Sequence, residues 1–194
     1  MYITLLMQTV DTLRNVRQYV DPQDGASMHR MLTWLQRSKR DENHILYRVV
    51  AQNNACLVYV QSDTLLDTTD IAKYGFMTRG YVHLTFDKGR IIQFSMRVHP
   101  TVARNGRPEY LKEAVDRQKW CQRKLADSGL SVQHMIETGT DIVRFKKNQT
   151  KDTVIACCDI AGIAIIEDPV KFQNFVQHGV GKLKNYGAGM FIFN

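Results

Sequence analysis

Apolar positions in the first half of the chain fall into short strand-length runs broken by one helical face. Tyr2 to Met7 is an apolar segment that reads as a buried strand. A turn-rich stretch, Asp21-Pro22-Gln23-Asp24-Gly25, follows it. Met28, Met31, Leu32 and Leu35 then stand at i, i+3, i+4 and i+7, which is one face of a helix from about Ser27 to Gln36. Ile45 to Val50 and Cys56 to Gln61 are strand-like runs. The order strand, helix, strand, strand is half of a ferredoxin-like unit.

Beyond Lys88-Gly89 the pattern repeats. Arg90 to Val98 alternates as a strand and ends at His99-Pro100. A long helix from about Tyr110 to Asp127 stops at Ser128-Gly129, the glycine expected at a helix C-terminus. Val132 to Glu137 reads as a short strand. Asp141 to Lys147 and Asp152 to Ile166 read as two more, joined by the polar turn Asn148-Gln149-Thr150. Asp168-Pro169 opens a helix in the expected way, acid then proline at the first turn. That helix ends at His178-Gly179, and a glycine-rich loop leads to a last strand, Gly189 to Phe193. The fold class is α+β, with two units in tandem over residues 1–88 and 89–194.

Composition narrows the class. A chain of 194 residues with 44% hydrophobic content has the material for a packed core, so a mostly disordered chain is not expected. The longest apolar stretch, around Ile160 to Ile166, falls far short of the ~20 residues that span a bilayer. The opening MYITLLMQTV has no positive segment ahead of its apolar residues, so it does not read as a secretory signal, and a cytoplasmic location is expected. Cys56, Cys121, Cys157 and Cys158 lack metal-ligand spacing and read as core residues. No carboxylate cluster points to magnesium, and neither metal nor cofactor is expected.

Charge adds a direction. Residues 1–88 hold 10 basic and 9 acidic side chains, residues 89–194 hold 16 and 10, so the net +7 lies almost wholly in the second half. Such a surplus fits a polyanion, nucleic acid before membrane. On the helix wheel Leu111, Ala114, Val115, Cys121 and Leu125 gather on one side. Lys112, Lys119 and Arg123 form one stripe, Arg117 and Lys124 a second, and Trp120 projects between them. Basic flanks around an aromatic suit an RNA backbone, although Glu113 and Asp116 on that face also allow an ordinary solvated surface. Arg144, Lys146, Lys147 and Lys151 sit on the expected hairpin, and Arg104 and Arg107 in a loop before the helix. Gly179, Gly181, Gly187 and Gly189 bracket Lys182 and Lys184 in a loop whose amides can approach an anion. A plain flexible turn is the other reading, and the loop is no Walker motif. His29 lies in the first turn of its helix beside the buried stripe, where a helix N-terminus attracts phosphate. The alternative is a surface residue; His44, His83, His99, His134 and His178 have less context still.

Together these segments resemble CasE, the CRISPR-associated repeat-RNA endoribonuclease that is the RNA-processing subunit of type I-E Cascade. Met1-Tyr2-Ile3-Thr4 is similar to that family's opening strand, and Met28-His29-Arg30 to its histidine-bearing helix start. Phe94-Ser95-Met96-Arg97-Val98-His99-Pro100 resembles the start of its second domain, where Asn more usually precedes the proline. Lys119-Trp120-Cys121-Gln122-Arg123-Lys124-Leu125 resembles its basic helix, and Asp168-Pro169 with Gly179 to Gly189 its C-terminal signature, the most specific of these motifs.

The resemblance implies two ferredoxin-like domains of RNA-recognition type. It implies binding of a palindromic repeat as a stem-loop, metal-independent cleavage at the 3′ base of the stem, and retention of the product. The attacking group would be the neighbouring 2′-hydroxyl, leaving a 2′,3′-cyclic phosphate. On this chain His29 would be the acid–base residue, and Lys182, Lys184 and the loop amides would contact phosphate. The basic helix and hairpin would hold the stem. The implied partners are CRISPR repeat RNA and other Cascade subunits, with no membrane and no direct DNA contact. Better-known members carry a tyrosine three residues before the histidine; here that position is Ala26, with Ser27 or Tyr19 as substitutes. The rival expectation is a non-catalytic RNA-binding subunit of the same fold. A small enzyme of nucleotide metabolism using the glycine loop would need an acid cluster or nucleotide fingerprint that the chain lacks.

Overall fold

The computed structural model describes residues 1–14, 16–36, 44–147 and 151–194. They form two compact units. The first comprises Met1–Leu84, Val143–Val154 and Asn185–Gly187, and the second Thr85–Ile142, Ile155–Lys184 and Ala188–Asn194. A single cut at residue 88 therefore does not describe them, because part of the hairpin and three residues of the glycine-rich loop belong to the first unit.

In the first unit β1 (Tyr2–Thr9), α1 (Gly25–Leu35), β2 (Leu46–Gln52) and β3 (Ala55–Ser62) precede a 3-10 turn (Ile71–Tyr74) and β4 (Met77–His83). The sheet order is β2-β3-β1-β4, every neighbour antiparallel. This is the ferredoxin-like order, with the second helix reduced to the 3-10 turn. Leu6 pairs with Val58 and Tyr47 with Val60, which puts the buried residues of three strands on one face. Met28, Met31, Leu32 and Leu35 of α1 are all buried in the same core, so the four apolar positions expected on one helical face do share it. Sequence patterning misses β4, because this edge strand is exposed along its whole length and has no alternation to read.

The second unit contains β5 (Ile91–Val98), the hairpin β6 (Thr101–Arg104) and β7 (Arg107–Tyr110), and α2 (Ala114–Ala126). Then come β8 (Leu130–Lys147), β9 (Lys151–Ile166), α3 (Pro169–His178), a 3-10 turn (Lys184–Tyr186) and β10 (Phe191–Phe193). The sheet order β10-β5-β9-β8 repeats the order of the first sheet, now with both helices present.

Four expectations are corrected here. Tyr110 ends β7 rather than opening the helix. Asn105 and Gly106, with φ of 50° and 73°, make a two-residue Asn-Gly hairpin turn where a loop was expected. The two strands expected at 132–137 and 141–147 are one strand of 18 residues. Its apolar pattern lapses at Thr138-Gly139-Thr140 because those residues are exposed on an edge strand. The last strand begins at Phe191, since Gly189 at φ 81° is incompatible with an extended chain. The turn expected at Asn148-Gln149-Thr150 lies outside the described residues.

The core of this unit is aromatic and thiol-rich. Phe94 stacks on Phe191 at 4.9 Å, and Phe172 meets Phe191 edge-on at 5.6 Å. Cys121, Cys157 and Cys158 are fully buried, whereas Cys56 is half-buried at the start of β3, on the margin of its sheet. Among the described residues no helix is long and apolar enough to cross a membrane.

Gly162 of β9 lies against the Phe94 ring, where an added Cβ would stand 2.6 Å from Cζ and closer still to the His134 carbonyl. Gly162→Ala should cost about 1–3 kcal/mol by overpacking and lower the calorimetric unfolding midpoint by several degrees. A midpoint unchanged within a degree would refute this account of β9 packing.

Candidate active site and nucleic-acid interface

The first turn of α1 is held by a single carboxylate. Asp24 is extended (φ −89°, ψ 98°), and its side chain accepts from the Ala26 amide at 3.2 Å and from the Ser27 hydroxyl. Arg30 donates to the Ser27 oxygen at 3.0 Å. The same Asp24 carboxylate also accepts the Lys146 amide at 3.3 Å, and Asp24 forms a parallel bridge with Arg144. One N-cap therefore clasps the helix start to the basic arm of β8. Burial alone would raise the Asp24 carboxyl, but the Ser27 hydroxyl and the amides of Ala26, Lys146 and Ser27 outweigh it and hold it below its ordinary range. This cap also explains why the helix starts at Gly25, two residues before the expected start.

Three segments of the first unit meet over Gly25. A Cβ there would lie 3.0 Å from Tyr186 Cβ and 3.2 Å from the Arg144 carbonyl, so a larger residue would have to push Tyr186 or the arm back by a few tenths of an ångström. The Tyr47 hydroxyl donates to the Gly25 carbonyl at 3.0 Å, with the Asn185 carbonyl at 3.4 Å. The Tyr47 ring is 2% exposed. Burial first, then Asp24 and Tyr186, push its phenol far above the usual value, so it remains a donor. A Cβ on Gly187 would lie 3.1 Å from that ring, and Tyr186 stacks on Phe145 at 4.0 Å, 5° from parallel.

Of the residues singled out in the sequence, Arg144, Lys146 and Gly187 lie at this corner, and His29 lies on the helix that starts there, in the same unit. His29 is half-buried, and its carbonyl accepts from Thr33 Oγ1 at 2.8 Å. It stands one turn inside α1 rather than in the first turn, because the helix begins earlier. Arg144 and Lys146 are exposed. Lys147 ends β8 and Lys151 begins β9, with their side chains outside the description.

In the second unit, Lys112, Lys119, Arg123 and Lys124 are exposed, as are Arg104 and Arg107 flanking the Asn105-Gly106 turn. Two members of the basic helix are not where the wheel put them. Arg117 is 6% exposed and gives Glu137 two hydrogen bonds at 2.8 and 2.5 Å, with further donation to the Leu111 and Lys112 carbonyls. The Glu137 bond holds its guanidinium above the ordinary value against the opposing effect of burial. Trp120, also 6% exposed, does not project between basic stripes. It lies under Gly181, where a Cβ would be 2.9 Å from the indole, with the Lys124 ammonium 5.5 Å over the ring. The expected wheel counted Leu111, which precedes the helix, and so rotated the face. The buried stripe is Arg117, Trp120, Cys121 and Leu125, and Val115 is 61% exposed.

The glycine-rich loop uses positive φ at Gly179 (65°), Gly181 (76°), Gly187 (88°) and Gly189 (81°). Several of its amides are committed within the protein. Gly189 donates to the Arg97 carbonyl and Val180 to the Gly189 carbonyl, both at 2.7 Å, and Ala188 to the Leu183 carbonyl at 3.3 Å. Gly189 therefore does not offer its N–H to an anion, contrary to expectation. The Lys184 ammonium donates to the His178 carbonyl at 2.7 Å, and burial, then Lys124, lowers its pKa. Lys182 is exposed. Among the described residues no group of three His, Cys, Asp or Glu is placed to hold a metal ion.

Sequence reasoning missed Asp24, Tyr47, Tyr186 and Phe145. Asp24 did carry a signal, an acid just before a helical face. Tyr47 carried none, because its acceptors lie 22 and 138 residues away in the chain.

The model of the family described as CRISPR associated protein matches residues 1–193. No curated protein matches the sequence significantly. Among solved structures, the chain is similar to CRISPR endoribonuclease Cse3 bound to a 19-nucleotide RNA, with TM-score 0.86, 19% identity and 100% of both chains covered. It is similar to Thermus thermophilus Cse3 bound to an RNA representing a pre-cleavage complex, with TM-score 0.83, 19% identity and the same coverage. It is also similar to the CRISPR-associated protein Cas6e of Escherichia coli K-12, with TM-score 0.72, 19% identity, and 100% and 98% of the two chains covered. At such identities the likeness shows the fold, two ferredoxin-like sheets in tandem.

Asp24→Ala should cost about 1 kcal/mol at neutral pH through the lost cap. Because the folded pKa of Asp24 lies below the unfolded value near 4, its ionic contribution is complete above that value. It fades as pH falls through the folded pKa. Urea unfolding of wild type and variant at pH 7 and pH 3 should show the gap shrinking in acid; a pH-independent gap would refute the role of the carboxylate.

Proposed function

The chain belongs to the CRISPR associated protein family, and on that premise we propose that it is an endoribonuclease of CRISPR RNA maturation. It binds the stem-loop of repeat RNA in the cytoplasm, cleaves at the 3′ base of the stem and keeps the product as a Cascade subunit. Its neighbours in fold support the reading: one is a CRISPR endoribonuclease bound to RNA, and another, at TM-score 0.66 and 21% identity, comes from a CRISPR RNA-guided surveillance complex. The observation that carries it is the corner of the first unit, where the helix of His29 is clasped to the basic arm of Arg144 and Lys146.

Cleavage needs no metal in this reading. The 2′-hydroxyl next to the scissile phosphate loses a proton and attacks phosphorus, and the 5′-oxygen leaves with a proton. The products are a 2′,3′-cyclic phosphate and a 5′-hydroxyl end. His29 supplies acid–base help, typically worth about 10²–10⁴-fold, and Arg144 and Lys146 offset charge developing on the phosphorane. Lys112, Lys119, Arg123 and the exposed Arg104 and Arg107 hold the phosphate backbone of the stem. Ala26 leaves the second proton role to another hydroxyl. Ser27 gives its proton to Asp24, and the exposed Tyr19 lies with Asp21, Pro22 and Cys56. Ala26 also keeps one rival in play, an RNA-binding subunit that does not cut.

With repeat RNA in EDTA, wild type should cut, and His29→Ala should be slower by about 10²-fold or more with unchanged hairpin affinity. A 2′-deoxy nucleotide at the scissile position should block cleavage altogether. Wild type that binds the hairpin and never cuts would overturn the nuclease reading in favour of its rival.

A further inference from the structure

The second unit contains a cavity of about 680 Å³ that the cleavage chemistry leaves unused. The β6–β7 hairpin forms one wall through Thr101, Ala103 and Pro108, and Trp120 and Phe175 line its apolar part. The stretch from Gly179 to Lys184 forms the rim. Its charged lining residues are Lys124, Lys182 and Lys184, with no carboxylate among them. Three ammonium groups around one space repel one another unless an anion enters it; the lowered pKa of Lys184, from burial and then from Lys124, is consistent with that crowding.

The cations are also held in place. Lys184 spends one donor on the His178 carbonyl at 2.7 Å, which leaves two of its three N–H groups for a ligand. Lys124 sits 5.5 Å over the Trp120 ring. Gly181, at φ 76°, lets the rim lie directly on the indole, where a side chain would collide. The volume falls in the range of small-ligand sites, far more than a bare phosphate fills, and the aromatic lining offers a surface for a base.

We propose that this cavity binds a single nucleotide, its phosphate between Lys124, Lys182 and Lys184 and its base against the side of Trp120 and Phe175. The nucleotide is either a free nucleoside monophosphate or an unpaired residue of bound RNA. The second source rests on the RNA-binding reading above; the first does not.

The chain has two tryptophans, Trp34 and Trp120, so Trp34→Phe leaves Trp120 as the sole indole reporter. In that variant, adenosine 5′-monophosphate should change the fluorescence saturably, with inorganic phosphate at least about tenfold weaker. Adding Lys124→Met and Lys182→Met should weaken the nucleotide about tenfold or more while circular dichroism stays unchanged. Repeat RNAs carrying abasic ribose at each unpaired position separate the sources. If one position abolishes the Trp120 response, RNA supplies the nucleotide; if none does while the monophosphate still binds, the free nucleotide is the ligand. No saturable response to monophosphate or RNA, in protein that still cuts repeat RNA, overturns the pocket and leaves the nuclease standing. Equal responses to phosphate and nucleotide also overturn it. A saturable nucleotide response in protein that never cuts supports the pocket and ends the nuclease reading.

Discussion

The Tyr47 hydroxyl has one proton and two backbone carbonyls within reach, Gly25 at 3.0 Å and Asn185 at 3.4 Å. A buried phenol without a partner would cost about 1–3 kcal/mol, so both segments are drawn to it. Around that ring the first turn of α1, the arm of β8 and residues 185–187 assemble with little room: a Cβ on Gly25 would crowd Tyr186 and the Arg144 carbonyl, and Gly187 lies against the ring. Arg144 and Lys146 are exposed on either side of Phe145, whose ring stacks on Tyr186.

The two units use one strand order for different ends. In the first, the second helix has shrunk to a 3-10 turn and the edge strand β4 is exposed on both faces. In the second, both helices are kept, and α2 turns its Arg117 and Trp120 inward. Arg117 is thus a structural ion pair with Glu137, and the exposed charge of α2 belongs to Lys119, Arg123 and Lys124. A basic helix is not uniformly available to a polyanion, since the cations that hold the fold together are lost to the surface.

Local signals were the legible part. The face of α1, the Asp168 cap that accepts from Val170 and Lys171, and the burial of Cys121, Cys157 and Cys158 each follow from nearest-neighbour chemistry. The ferredoxin-like order was visible in the succession of elements. Three things were not. β4 has no buried side to impose a period. The rotation of α2 depends on where the helix starts, and that is set by an extended Glu113 with no side-chain cap bond to announce it. The partnership of Tyr47 with Gly25 and Asn185 joins residues far apart in the chain, so no window of sequence contains it. Of the residues singled out from motif order, Arg144 and Lys146 lie on the arm clasped to the start of the His29 helix, while Arg117, Trp120 and Gly189 are engaged inside the protein.

Asn185–Gly187 belongs to the first unit although it stands in the chain between two stretches of the second, Ile155–Lys184 and Ala188–Asn194. Synthesis proceeds from the N-terminus at about 5–20 residues per second, and domains emerge in that order. The segment carrying His29 leaves the ribosome early, but residues 185–187 follow only after most of the second unit. The nascent first unit must wait, incomplete, until residues 185–187 have emerged, after most of the second unit has been made. A ribosome that stalls before codon 185 thus leaves behind a polypeptide that has the helix of His29 but lacks the segment packed against Gly25 and Tyr47.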